Sequence, residues 1–191
     1  MLSTVRPPPA WPSMRPRRRD QGRATDALAA VRKVLAGAAF AVGGAAEADA
    51  FARWAGCRLP TEAEWEYACR AGTKGAYSYG DSADKLSEYG WWAGNGGDQP
   101  EPVGKLKPNP WGLYDMHGNL FEWCADAYVA YPDGSAFSTS GTMKVLRGGA
   151  YYCPSNILRS ACRAEAQQPD FRWILAGFRV VLAPPLGQAE D

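Results

Sequence analysis

Two carboxylates, Asp115 and Glu122, lie seven residues apart in the stretch NPWGLYDMHGNLFEWCAD, residues 109–126. Trp111, Tyr114, Phe121 and Trp123 surround them, and each ring can bury roughly 150–250 Å². No helical or strand period runs through the stretch. Gly112 and Gly118 mark places where the backbone turns or approaches a neighbour too closely for a side chain. A carboxylate buried without a partner is strongly unfavourable. These residues therefore call for a cation or a dense hydrogen-bond network at the centre of the loop.

The other reactive side chains are five cysteines, Cys57, Cys69, Cys124, Cys153 and Cys162, and one histidine, His117. The cysteine count is odd and no CxxC pair occurs, which argues against a zinc knuckle. One histidine cannot build a multi-histidine iron or zinc centre. The thiols read as free, buried or half-buried cysteines of a reducing compartment, so the expected location is cytoplasmic, with export as a minor alternative. Arg32 and Lys33 followed by VLAGAAFAVGGAA imitate a signal peptide, but too far from Met1. No run reaches the ~18 apolar residues of a membrane span. A net charge of +1 over 191 residues provides no field for nucleic acid.

The elements that must position these groups are short. Residues 1–46 combine a Pro/Arg-rich start with an Ala/Gly-rich run and read as a disordered or separate segment. Glu47–Ala55 has a helical apolar face, with Gly56 as its C-terminal stop. Thr61 and Glu64 form a T-x-x-E capping box for a second helix. Glu62, Glu64 and Glu66 suit its N-terminal dipole as a solvated face. Residues 72–108 read as a long loop anchored by Tyr77, Tyr79, Tyr89, Trp91 and Trp92. Strands are expected at Val145–Tyr152 and Phe178–Leu182, with a frayed tail over 183–191. Arg147 and Arg179 read as staples of irregular backbone through ion pairs or carbonyl contacts. Asn119 reads as a turn residue. Phe171, Trp173, Ile174 and Leu175 are either core or an exposed apolar patch.

Five ordered blocks carry a resemblance: RLPTEAEWEYACRAG at 58–72, the 109–126 stretch, VLRGGAYYC at 145–153, LRSACR at 158–163 and AGFRVV at 176–181. Together they resemble the formylglycine-generating enzyme, or sulfatase-modifying-factor, family over residues 47–182. The resemblance implies an α+β, C-type-lectin-like domain with short helices, small antiparallel sheets and little regular structure. The family's glycine-rich N-terminal part has no counterpart in residues 1–46, which raises the expectation of a truncated member.

In catalytic members the resemblance implies two cysteines that bind Cu(I) and oxidise a protein cysteine to formylglycine. Cys153 matches the first of them, and Leu158 stands at the second, where a thiolate is needed. Cys162 lies nine residues beyond Cys153. Ala150 replaces the serine after the Gly-Gly pair, and Phe121 replaces a tryptophan of the GN-x-W-E-W motif. The resemblance also implies a structural Ca²⁺ held by the Asp115 and Glu122 side chains and the Gly118 and Leu120 carbonyls, a hard-oxygen set suited to calcium. A second family calcium position, near Trp91 and Gly96–Asp98, is not assigned.

The expectation is a noncatalytic module binding a protein or peptide through Tyr152, Cys153, Ser155, Asn156, Cys162, Ala164, Phe171, Trp173, Ile174 and Leu175. This segment resembles the one that variable proteins of diversity-generating retroelements randomise. The alternative is a divergent copper-dependent oxidase acting on a protein cysteine.

Overall fold

In the computed structural model the described residues are 43–129, 142–163 and 165–182. The expectations for 1–42, for the tail from 183 and for Ala164 fall outside them. Three helices and one small sheet carry the described part. Helix α1 spans Ala45–Trp54, α2 spans Glu62–Arg70, and a single 3-10 turn at Ala83–Lys85 leads into α3, Leu86–Tyr89. The strands are β1 Phe121–Ala127, β2 Lys144–Arg147, β3 Glu165–Gln167 and β4 Ala176–Gly177, in sheet order β3-β2-β1-β4. The β1–β2 and β2–β3 pairs are antiparallel, and β1–β4 is parallel. A 3-10 turn at Ser155–Leu158 comes after β2.

Local chemistry accounts for the helix boundaries. Glu64 N–H donates to the Thr61 hydroxyl at 3.2 Å, while the Glu64 carboxylate accepts from Thr61 N–H at 2.8 Å. This is the reciprocal cap anticipated for α2. Helix α1 begins at Ala45 rather than Glu47 and stops just before Gly56, whose φ of +70° needs no Cβ penalty. The strand expected at 178–182 is displaced: sheet pairing falls on Ala176–Gly177, and Val181 instead bridges Arg58. The strand expected to run to Tyr152 stops at Arg147, because Gly148 and Gly149 both take positive φ, +92° and +79°. The short helices and small, mostly antiparallel sheet match the expected α+β architecture, with β1–β4 as a parallel addition and antiparallel bridges at Arg58–Val181 and Tyr77–Gly80.

The glutamates of α2 are not a solvated face. Glu64 pairs with Arg58, and Glu66 with Arg70 and Arg147. Glu62 bridges Arg147 and Arg163. The Arg147 side chain is fully buried, and its guanidinium also donates to the Ser160 carbonyl at 2.7 Å and lies 5.5 Å from the Trp65 ring centre. A buried guanidinium requires such anionic and carbonyl partners, so tertiary contact overrides solvation of the acids.

Two apolar clusters flank the sheet. One gathers α1 with Phe121, Trp123, Leu146, Ala150, Cys153 and Leu158; the other gathers Trp65, Cys69, Met116, Cys124 and Val145.

Glycine positions separate two causes of intolerance. Gly56→Ala keeps open space around the new methyl group and meets only the left-handed backbone penalty, about 1–2 kcal/mol. At Gly118, φ is +110° and a Cβ would lie 1.9 Å from the Trp91 carbonyl oxygen. Urea denaturation should therefore show a modest midpoint loss for Gly56→Ala, and a loss of roughly 3 kcal/mol or more for Gly118→Ala.

Candidate functional site

The 109–126 stretch coils around its own polar groups. The Asn109 amide donates to the Ala68 and Cys69 carbonyls at the end of α2, and its oxygen accepts from Trp111 and Leu113 N–H, both at 3.0 Å. Asp115, Gly118 and Asn119 all take positive φ. That winding draws Asp115, Gly118, Asn119, Leu120 and Glu122 around one cavity of about 10 Å³, which Arg179 also lines. The volume is about that of one water-sized sphere.

The electrostatics of this cavity are uneven. Glu122 accepts from Arg179 Nε and Nη2 and, at 2.6 Å, from the Trp65 indole N–H. Asp115 accepts from Gly104 N–H at 2.8 Å through one oxygen, and its other oxygen is buried without a partner among the described residues. Burial raises the Asp115 pKa from its ordinary value, against the Gly104 hydrogen bond and the Arg179 charge. Two carboxylates and one guanidinium leave the cavity a net negative site. All four residues that the resemblance assigns to calcium line it. The orphaned Asp115 oxygen and the hard-oxygen set fit a small hard cation, which would share Glu122 with Arg179.

The thiol site is built differently. Cys153 is buried, and burial pushes its thiol pKa up. Leu158 is 0% exposed and wedged beside two glycines: a Cβ on Gly149 would lie 2.8 Å from Leu158 Cδ1, and one on Gly118 would lie 2.9 Å from Cδ2. Ala150 is equally buried, and Phe121 stacks on Trp173 with ring centres 5.3 Å apart. Apolar packing occupies the place where a second thiolate would stand. Cys153 and Cys162 are both free thiols. A two-thiolate copper centre does not fit residues 153 and 158 as they stand.

The residues expected on a binding surface divide by exposure. Tyr152, Asn156, Phe171 and Ile174 are exposed, while Ser155, Cys162, Trp173 and Leu175 are half-buried. Phe171 sits 6.3 Å from Trp173, which joins the exposed ring to the Phe121 stack. Ser155 and Leu175 also serve the frame: the Ser155 carbonyl accepts from the Tyr77 hydroxyl and the Leu175 carbonyl from Phe121 N–H, both at 2.9 Å.

Comparison with known proteins agrees with this architecture. The family model for the sulfatase-modifying factor enzyme 1-like domain matches residues 45–184. The chain belongs to the sulfatase-modifying-factor family. It is 38% identical over 157 residues to a formylglycine-generating enzyme of Streptomyces coelicolor, covering 70% of this chain and 49% of that protein. It is also 34% identical over 154 residues to a hercynine oxygenase of Mycolicibacterium thermoresistibile, covering 70% of this chain and 33% of that one. The chain thus spans about half the length, or less, of these curated relatives. Among solved structures, Treponema denticola variable protein 1 superposes with a TM-score of 0.60 at 36% identity, covering 67% of this chain and 48% of that one. PvdO from Pseudomonas aeruginosa gives 0.62 at 31% identity, covering 72% and 59%.

In this sulfatase-modifying-factor domain the single histidine belongs to the frame. His117 is 1% exposed. Its Nε2 accepts from Ser78 N–H at 3.1 Å, so its proton sits on Nδ1, which donates to the Leu158 carbonyl at 2.9 Å. Protonating Nε2 would set two donors against each other. Burial, the larger cause, adds to this and lowers the pKa to about 4, against the opposing Leu158 bond. Trp65 was not anticipated as a member of the cation site. In the structure it lies with Ala68 and Cys69 on the buried face of α2.

A histidine held neutral stabilises the fold fully above its unfolded pKa near 6.5 and progressively less as pH falls toward 4. Between pH 7 and 4.5 this amounts to roughly 2 kcal/mol. Urea midpoints of wild type and His117→Gln should therefore differ most at pH 7 and converge by pH 4.5. Parallel pH profiles would contradict the buried neutral tautomer.

Proposed function

We propose that this domain is a noncatalytic binding module that presents a protein- or peptide-recognition surface on a sulfatase-modifying-factor frame. The observation that carries this reading is Leu158. A fully buried leucine, wedged against Gly149, stands where the copper chemistry implied by the family demands a thiolate. Ala150 and Phe121 add an apolar wall to the same pocket. A site lined in this way supplies neither the second soft ligand nor the serine hydroxyl. The exposed Phe171 and Ile174 beside the half-buried Trp173 provide large apolar contacts on a rigid support, the composition typical of energetic centres in recognition. The likeness to a protein described as variable agrees with a scaffold whose surface changes while its frame persists.

The identity of 34–38% to formylglycine-generating enzymes favours a second reading, copper-dependent oxidation of a protein cysteine with Cys153 as the surviving thiol. The two readings separate in one assay. The protein incubated with Cu(I), oxygen and a cysteine-containing peptide should consume no oxygen and form no aldehyde. Turnover that falls on Cys153→Ser would replace the binding reading with the oxidase. On the binding side, peptides selected from a display library on the immobilised domain should lose about tenfold or more in affinity on Trp173→Ala or Ile174→Ala. Unchanged affinity in both variants would move the surface elsewhere.

The loop cavity takes a structural calcium in this proposal, held by Asp115 and Glu122 with the Gly118 and Leu120 carbonyls. A ligand that binds only the folded state raises stability by about 2.7 kcal/mol at one hundred times its Kd. The melting temperature should accordingly rise with calcium and fall with chelator. The calcium-induced rise, whatever the starting Tm, should vanish in Asp115→Ala.

A further inference from the structure

We propose that Trp65 is the positioning residue of the cation site: its indole N–H holds the Glu122 carboxylate in place and thereby sets the affinity of the cavity for calcium. The inference rests on the calcium reading above and deepens it.

Glu122 is the second residue of β1, and its backbone is fixed by pairing with Arg147 of β2 on one side and Gly177 of β4 on the other. Its side chain has two partners of different kinds. Arg179 grips both oxygens and cancels the charge. Trp65 grips one oxygen at 2.6 Å and carries no charge of its own. A neutral donor orients a carboxylate without competing electrostatically with a bound cation, which a guanidinium does. Partners of this kind around metal ligands affect affinity by about 10–100-fold.

The indole is itself held on every side. It projects from α2, whose cap is closed by Thr61 and Glu64. Arg147 covers its face, anchored by Glu62, Glu66 and the Ser160 carbonyl. Gly148 lies against its edge, where a Cβ would come within 3.1 Å of Cζ2. Trp65 is 1% exposed and Glu122 6%. Water therefore does not compete for their hydrogen bond, and the ring has no freedom to turn its N–H elsewhere. The second carboxylate, Asp115, lines the same cavity and has one buried oxygen without a partner among the described residues. One ligand oriented by Trp65 and one left open is the arrangement expected of a site completed by a cation.

Trp65→Phe keeps the ring and removes only the donor. Calcium titration by calorimetry on the full chain should show binding in wild type, and affinity about tenfold or more weaker in Trp65→Phe, with the circular dichroism spectrum unchanged. Wild-type binding with equal affinity in Trp65→Phe would overturn the role of Trp65 and leave the calcium site standing. No binding in wild type would overturn both. A readout that needs no variant accompanies this. In the proton NMR spectrum of wild type, the indole N–H with contacts to the Arg147 side chain should resonate downfield of the other tryptophans and move saturably as calcium is added. An unmoved resonance at saturating calcium would overturn the proposal even if Trp65→Phe does not fold.

Discussion

The buried carboxylate of Glu122 is the constraint around which the rest of this domain is arranged. It lies at the start of the central strand, in the interior, with a full negative charge to be satisfied. Arg179 from beyond β4 supplies the charge, and Trp65 from α2 supplies a neutral donor. Three segments far apart in sequence meet at one side chain. Removing Arg179 would leave a buried charge uncompensated, which is among the most destabilising changes available to a protein. A second buried cation, Arg147, repeats the pattern one step away: Glu62, Glu66 and the Ser160 carbonyl hold it, and its guanidinium covers the Trp65 ring. The two ionic centres share Trp65, so the helix, the sheet and the central loop form one connected support.

This economy explains how so little regular structure can be rigid. The strands are two to seven residues long. Hydrogen bonds from side chains to backbone replace longer ladders: Asn109 to the end of α2, Asn119 to the Glu101 backbone, His117 to Ser78 and Leu158. Each satisfies backbone groups that no sheet or helix pairs, as buried polar groups require. The frame is then free of the pocket that the family resemblance assigns to copper. At that place Leu158, Ala150, Phe121 and Cys153 have joined the apolar core. A buried leucine stands where the resemblance puts the second thiol, while Cys153 keeps the first.

Much of this was legible from residue types. The capping box at Thr61 and Glu64 and the stop at Gly56 depend on local geometry, so sequence spacing suffices to place them. The family resemblance matched Asp115 and Glu122 with Gly118 and Leu120, and the structure places all four around one cavity. The replacement of a thiol by Leu158 was equally plain, since no fold can make a hydrocarbon ligate copper.

Other features belong to the tertiary structure alone. The α2 glutamates read as solvated because a helix start favours acids, yet Arg147 and Arg163 from distant positions, and Arg58 just before the helix, claim them. The strand expected at 178–182 has the right composition, but pairing is decided by which backbone lies beside β1, and that is Ala176–Gly177. Trp65 was given no role by the sequence. Its hydrogen bond to a residue 57 positions away exists because the helix and the central loop are packed together, and no local pattern records that. The sequence by itself determined the family, the loop and the loss of the second thiol, all of which are properties of residue type and short spacing. The partners that neutralise each buried charge were decided only by the fold, because they are distances between segments that the chain order leaves open.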